Sequence, residues 1–154
     1  MTFFWLFFDV LILISIAVSV YWQSQITVRA KYNFSSLIYG MIFGVLLMMY
    51  PSPGLIWLVL VAGFILMNII SGVGGLTTNR IIGNGFFYPT IVRFSDLATI
   101  TLTNQPMPGQ RHLVIAIFTL KRGRNVRLNF GQSTEVLIDA LRPNLPTEVS
   151  LVVR

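Results

Sequence analysis

Asp9 stands inside an otherwise uncharged apolar run from Thr2 to Trp22. An acid held in hydrocarbon must be paired, shared with a partner helix, or used to move a proton. The chain offers no second intramembrane charge for a relay, so transport ranks last. Pairing with a polar group such as Asn68, or contact with a partner subunit, comes first. Gly40-x-x-x-Gly44 adds a second candidate contact, because two glycines one turn apart let helix backbones approach closely, within the chain or between copies.

The other reactive residue types do not converge. The chain has no cysteine, which excludes disulfides, thiol catalysis and thiolate metal sites. His112 is the only histidine, and without grouped acids it makes no metal centre. Ser95-Asp96 has the residue types of a hydrolase, but no motif brings His112 to it, and the pair reads as a turn cap. The acids Asp96, Glu135, Asp139 and Glu148 lack the paired spacing of acid–base catalysis. Gly72, Gly74 and Gly75 have no following Walker lysine and read as a flexible exit from the membrane. Neither an enzyme nor a cofactor is expected. Lys121, Arg122, Arg124 and Arg127 cluster around one turn, either as a solvated basic tip or as contacts for anionic headgroups. Few aromatics interleave with them, so nucleic acid is not an expected partner.

The elements that carry these residues follow from hydropathy. Over 154 residues the chain is 55% hydrophobic with a mean hydropathy of +0.75, too apolar for a soluble core to absorb. Before Arg80 the only charges are Asp9, Arg29 and Lys31. Three spans are expected, at about 2–22, 32–50 and 55–76, the last two divided by Pro51-Ser52-Pro53-Gly54. Aromatic rings such as Trp5, Trp22, Tyr32, Tyr50 and Trp57 fall near their ends. Arg29 and Lys31 follow the first span and Arg80 and Arg93 follow the third. The positive-inside rule therefore predicts a multi-pass plasma-membrane protein, its N-terminus outside and its C-terminal part cytoplasmic. The first span has no basic leader and too long an apolar run for a cleaved signal peptide. The net charge of +6 next to a bilayer points to the anionic leaflet.

After Arg80 the period shifts toward two. Asn84-Gly85 lies between apolar runs and predicts a hairpin, with Phe86 to Tyr88 and then Thr90 to Val92 as its return strand. Phe94 to Leu97 reads as a turn, Ala98 to Leu102 as a strand, and Asn104 to Gln110 as a loop. A two-residue turn at Arg122-Gly123 would pair Thr119 with Val126, Ile117 with Leu128 and Ile115 with Phe130 on a dry face. Phe118 would then lie on the wetter face opposite Arg127, as a candidate partner contact. Ser133 should cap a helix that stops at Pro143, and Glu148 to Val153 should form a last strand.

The Asn84-Gly85-Phe86-Phe87-Tyr88 hairpin, the Phe94-Ser95-Asp96-Leu97 turn, the Leu113 to Phe130 hairpin and the helix near the end give about half of the chain a resemblance. They resemble the small bacterial PH-like domains found behind transmembrane hairpins in membrane proteins of poorly defined function. Phe94 stands where such families often have Trp, and the strand after the helix departs from their pattern. The resemblance implies a scaffold or binding module with no catalytic residues.

The expected architecture is an α-helical membrane bundle of three transmembrane helices in 1–76, then a small α+β, mainly antiparallel PH-like domain in 77–154. The expected role is a non-enzymatic accessory or adaptor protein that binds or regulates a membrane protein, or forms a homo-oligomer. The alternatives are an anionic-lipid sensor and an immunity protein against a membrane-active toxin.

Overall fold

The computed structural model describes residues 2–49, 54–85, 88–107 and 111–153. Pro51, Ser52 and Pro53 of the expected interhelical turn, Phe86 and Phe87 of the expected hairpin, and Pro108 to Gln110 of the expected loop lie outside them. The chain divides into a helical unit (Met1–Ser24, Tyr32–Val73 and Asn84–Pro89) and a β-rich unit (Gln25–Lys31, Gly74–Gly83 and Thr90–Arg154).

The helical unit contains α1 (Thr2–Ser24), α2 (Phe34–Met48) and α3 (Leu55–Ser71). None has an internal proline, and Leu, Ile and Phe fill them. Asn33 caps α2, its side-chain oxygen accepting from the Ser35 N–H at 3.2 Å. Helices α1 and α3 run parallel: Trp5 meets Trp57 edge to face at 4.9 Å near one end, and Gln23 donates to the Ile70 carbonyl at 2.6 Å near the other. Helix α2 runs antiparallel to α3, with Ser36 opposite Ser71 and Gly44 against Ile65.

The expectation of three spans is corrected here. Among the described residues, only α1, over Phe3–Ser24, is a helix long and apolar enough to cross a bilayer. The 15 residues of α2 and 17 of α3 extend roughly 22 and 26 Å, short of a hydrocarbon layer about 30 Å thick. The hydropathy runs overcounted at their ends. Tyr32 precedes the Asn33 cap of α2, and Gly75 and Leu76, counted into the third span, form a strand.

The β-rich unit takes its first strand from before α2. Strands β1 (Val28–Arg29), β2 (Gly75–Leu76), β3 (Arg80–Gly83) and β4 (Thr90–Arg93) form one antiparallel sheet in that order. The short β1 strand is thus drawn from the connection between the first two helices. A 3-10 turn at Phe94–Asp96 leads into β5 (Leu97–Met107), β6 (Arg111–Leu120), β7 (Asn125–Phe130), helix α4 (Thr134–Leu141) and β8 (Ser150–Val153). The second sheet has the order β7-β6-β5-β8, with β8 parallel to β5.

The expected PH-like arrangement is therefore corrected as well. Among the described residues the strands form two four-stranded sheets, and the second is mixed. Helix α4 acts as a crossover that delivers the expected last strand, β8, parallel beside β5. Strand β5 also runs through Pro106, opposite His112, where a loop was expected.

The β6–β7 register differs from expectation by one residue. Phe118 pairs with Val126, Ala116 with Leu128 and Val114 with Phe130. The Gly123 N–H donates to the Leu120 carbonyl at 2.9 Å, and the Leu120 N–H to the Arg124 carbonyl at 2.8 Å. Gly123 has φ +78°. This is a three-residue loop with a glycine bulge, one residue longer than the expected turn, and one extra residue exchanges the faces of β6. Phe118 consequently lies in the core with Phe130, Leu128, Ile100, Leu102 and Leu137, all nearly inaccessible. Each such side chain contributes roughly 1.5–3 kcal/mol by leaving water.

Candidate functional site

In the helical unit, polar groups face inward and large apolar groups face outward. Phe3, Phe7, Leu13 and Ile14 of α1, Ile38, Ile42 and Leu46 of α2, and Leu58 and Leu66 of α3 are exposed. Asp9, Ser19, Ser36, Asn68 and Ser71 are buried. In water this distribution would be inverted; it suits an apolar solvent. The Ser36 and Ser71 hydroxyls lie 2.8 Å apart, and both reach the Asn68 carbonyl, at 2.9 and 3.0 Å. The Asn68 amide donates to the Phe64 carbonyl at 2.9 Å. The two Ser36 bonds join α2 to α3 at a close approach of the helices, and the others lie within α3.

Gly40 and Gly44 make that approach possible. A Cβ on Gly40 would stand 2.5 Å from the Asn68 Cβ, and one on Gly44 2.6 Å from Ile65 side-chain atoms. Both glycines are buried against α3 of the same chain, so neither is open to a second copy. Asp9 is also covered, with 6% of its surface exposed. It shares a face of α1 with Trp5 and Ile12, four residues before it and three after, and Ile12 approaches Gly63 of α3. Among the described residues, one Asp9 carboxylate oxygen, Oδ1, has no hydrogen-bond partner, and neither has the Asn68 Oδ1. The expected Asp9–Asn68 pairing does not form: the contacts of Ile12 place the two about two helical turns apart along α3.

The basic turn of the β-rich unit is exposed throughout. Lys121, Arg122 and Arg124 occupy the β6–β7 loop, and Arg127 projects from the solvent face of β7 between Asn125 and Asn129. Lys121 makes a 3.4 Å ion pair with Glu148, but both side chains are more than half exposed and the pair adds little. Its backbone N–H donates to the Asp96 carbonyl at 2.9 Å, which ties the loop to the 3-10 turn. Phe118, expected beside Arg127, points to the opposite face.

A second basic feature went unread in the sequence. Arg80 of β3 and Arg93 of β4 are direct cross-strand neighbours. They border a groove of about 370 Å³ whose wall also includes Asn79, Ser95 and Asn144, with Phe94 and Pro146 as apolar parts. The two arginines served in the sequence only as markers of membrane orientation. Registering the Arg80 to Arg93 hairpin from its ends, rather than from Asn84-Gly85, would have paired them. Among the described residues, no group of three His, Cys, Asp or Glu is placed to hold a metal ion. The side chain of His112 lies outside the described atoms.

No family model, curated protein or solved structure matches this chain.

Proposed function

We propose that this is a non-enzymatic membrane accessory protein, anchored by α1, whose β-rich unit binds or regulates a membrane partner at the cytoplasmic face. The observation that carries the reading is the inside-out helical unit, with apolar side chains outward around a buried polar seam. Helix α1 supplies the crossing, α3 packs on it, and the shorter apolar α2 packs on α3. Arg29 and Lys31 follow α1, which favours a cytoplasmic position for the end of that helix nearer to them.

The partner contact is best supported at β8. It is an edge strand whose four residues are all exposed, Leu151, Val152 and Val153 among them. An uncovered apolar edge is a template for an added strand. The test is affinity purification of the full chain in mild detergent. A stoichiometric membrane protein that co-purifies with the native chain and is lost with Val152→Lys, while membrane insertion persists, supports the adaptor reading. A chain that purifies alone, or a partner indifferent to Val152→Lys, counts against it.

A second reading, sensing of the anionic leaflet, is favoured by the exposure of Arg122, Arg124 and Arg127. Each basic residue near an anionic surface contributes on the order of 1 kcal/mol, so the cluster would orient a tethered domain rather than anchor a free one. Replacing all four basic residues of the turn with Gln should then abolish a salt-sensitive preference of the β-rich unit for anionic over neutral bilayers. An unchanged preference leaves the turn as a solvated tip.

A further inference from the structure

We propose that the groove between Arg80 and Arg93 is a binding site for a phosphate group, separate from the basic β6–β7 turn. Residues directly opposite on antiparallel strands project from the same face of the sheet, with Cβ atoms about 5 Å apart. Arg80 and Arg93 hold that relation. Their neighbours Ile81 and Val92 point the other way, into the core, and fix which face the arginines share. A dianion between two guanidinium groups in that register is attracted by both. Among the described residues that line the groove, none is acidic.

The backbone beneath the groove is firmly held. The Thr77 hydroxyl donates to the Arg80 carbonyl and accepts from the Arg80 N–H, both at 3.0 Å. The Thr77 N–H donates to the same carbonyl at 2.9 Å, which closes the β2–β3 turn. The Asn79 carbonyl accepts from the Phe94 N–H at 3.2 Å and ties that turn to the end of β4. Arg80, Arg93 and Ser95 thus stand on strands and a 3-10 turn that are bonded to one another. Preorganisation of this kind lowers the cost of ordering a binding site.

The surrounding side chains suit phosphate chemistry. Two guanidinium groups offer forked N–H donors that match phosphate oxygens. The Ser95 hydroxyl and the amides of Asn79 and Asn144 add neutral donors around the same space. A volume of about 370 Å³ holds a phosphate or pyrophosphate, or a phospholipid headgroup, with room for water. Free phosphate and a lipid phosphomonoester present the same oxygens, so the experiment separates the two sources.

The full chain in neutral nanodiscs is titrated with inorganic pyrophosphate at constant ionic strength, and a parallel sample is reconstituted with phosphatidic acid. Saturable binding of pyrophosphate identifies a soluble ligand. A salt-resistant preference for phosphatidic acid without pyrophosphate binding identifies a headgroup. Either is expected to weaken at least about tenfold in Arg80→Gln/Arg93→Gln, the loss of two charge-assisted forks. Arg93→Gln alone changes an exposed side chain and should give a partial loss with unchanged thermal unfolding. Arg93→Lys should retain more binding than Arg93→Gln. The four-Gln variant of Lys121, Arg122, Arg124 and Arg127 should bind as the native chain does. No saturable binding to either probe, equal binding by the folded Arg93→Gln variant, or loss of binding in the four-Gln variant alone would overturn the site.

Discussion

At the scale of single residues, Gly40 and Asp9 show what side-chain identity does inside an apolar unit. A methyl on Gly40 meets the root of the Asn68 side chain, which cannot swing away, whereas one on Gly44 meets the flexible end of Ile65. Gly40→Ala should therefore destabilise the α2–α3 packing by about 1–3 kcal/mol, and Gly44→Ala by clearly less. Thermal unfolding of both variants in detergent reads the difference, and equal losses would contradict the packing described. Asp9→Asn keeps the shape of a covered side chain whose Oδ1 has no partner among the described residues. It should leave membrane insertion, thermal unfolding and partner recovery unchanged. Loss of the partner alone would show that Asp9 is used outside its own bundle. The Gly40-x-x-x-Gly44 spacing was legible in the sequence, but the helix it meets was not. In the sequence Asn68 reads as a partner for Asp9, whereas in the fold its carbonyl accepts from Ser36 and Ser71.

At the scale of elements, the β6–β7 hairpin and β1 mark where local pattern stops informing. Alternation along Leu113 to Phe130 foretold two strands and the dry face of β7, with Val126, Leu128 and Phe130 buried. It did not foretell the loop length, because Gly123 serves a two-residue turn or a bulged three-residue loop equally well. One residue moved Phe118 from the wet face to the core. The loop assignment predicts that Gly123→Ala, forced to hold φ +78°, destabilises the β-rich unit by roughly 1 kcal/mol. Chemical denaturation should show it, and no change would favour a different loop. Strand β1 was invisible for another reason: two residues carry no period, and their partners Gly75 and Leu76 lie across two helices in sequence. A fragment starting at Thr77 would lack β1 and β2 and leave the β3 edge bare, so it should aggregate on expression. Joining 25–31 to 74–153 with a flexible linker should keep it soluble; a soluble, cooperatively folding Thr77 fragment would show that β1 and β2 are dispensable.

At the scale of the whole molecule, composition foretold an apolar helical part and a basic β-rich part, because burial and solvation act on totals. It misjudged how many helices are long enough to cross, since hydropathy does not see where Asn33 caps a helix or where Gly75 begins a strand. The central claim is that α1 anchors the chain with its N-terminal end outside and the β-rich unit in the cytoplasm. The absence of cysteine gives a clean background for its test. Single cysteines at Thr2, Thr78 and Arg122 are introduced separately and treated in intact cells with a membrane-impermeant maleimide. The account predicts a carbonate-resistant membrane protein in which Thr2→Cys labels in intact cells, while Thr78→Cys and Arg122→Cys label only after lysis. Recovery in the soluble fraction, or labelling of Arg122→Cys in intact cells, would contradict it.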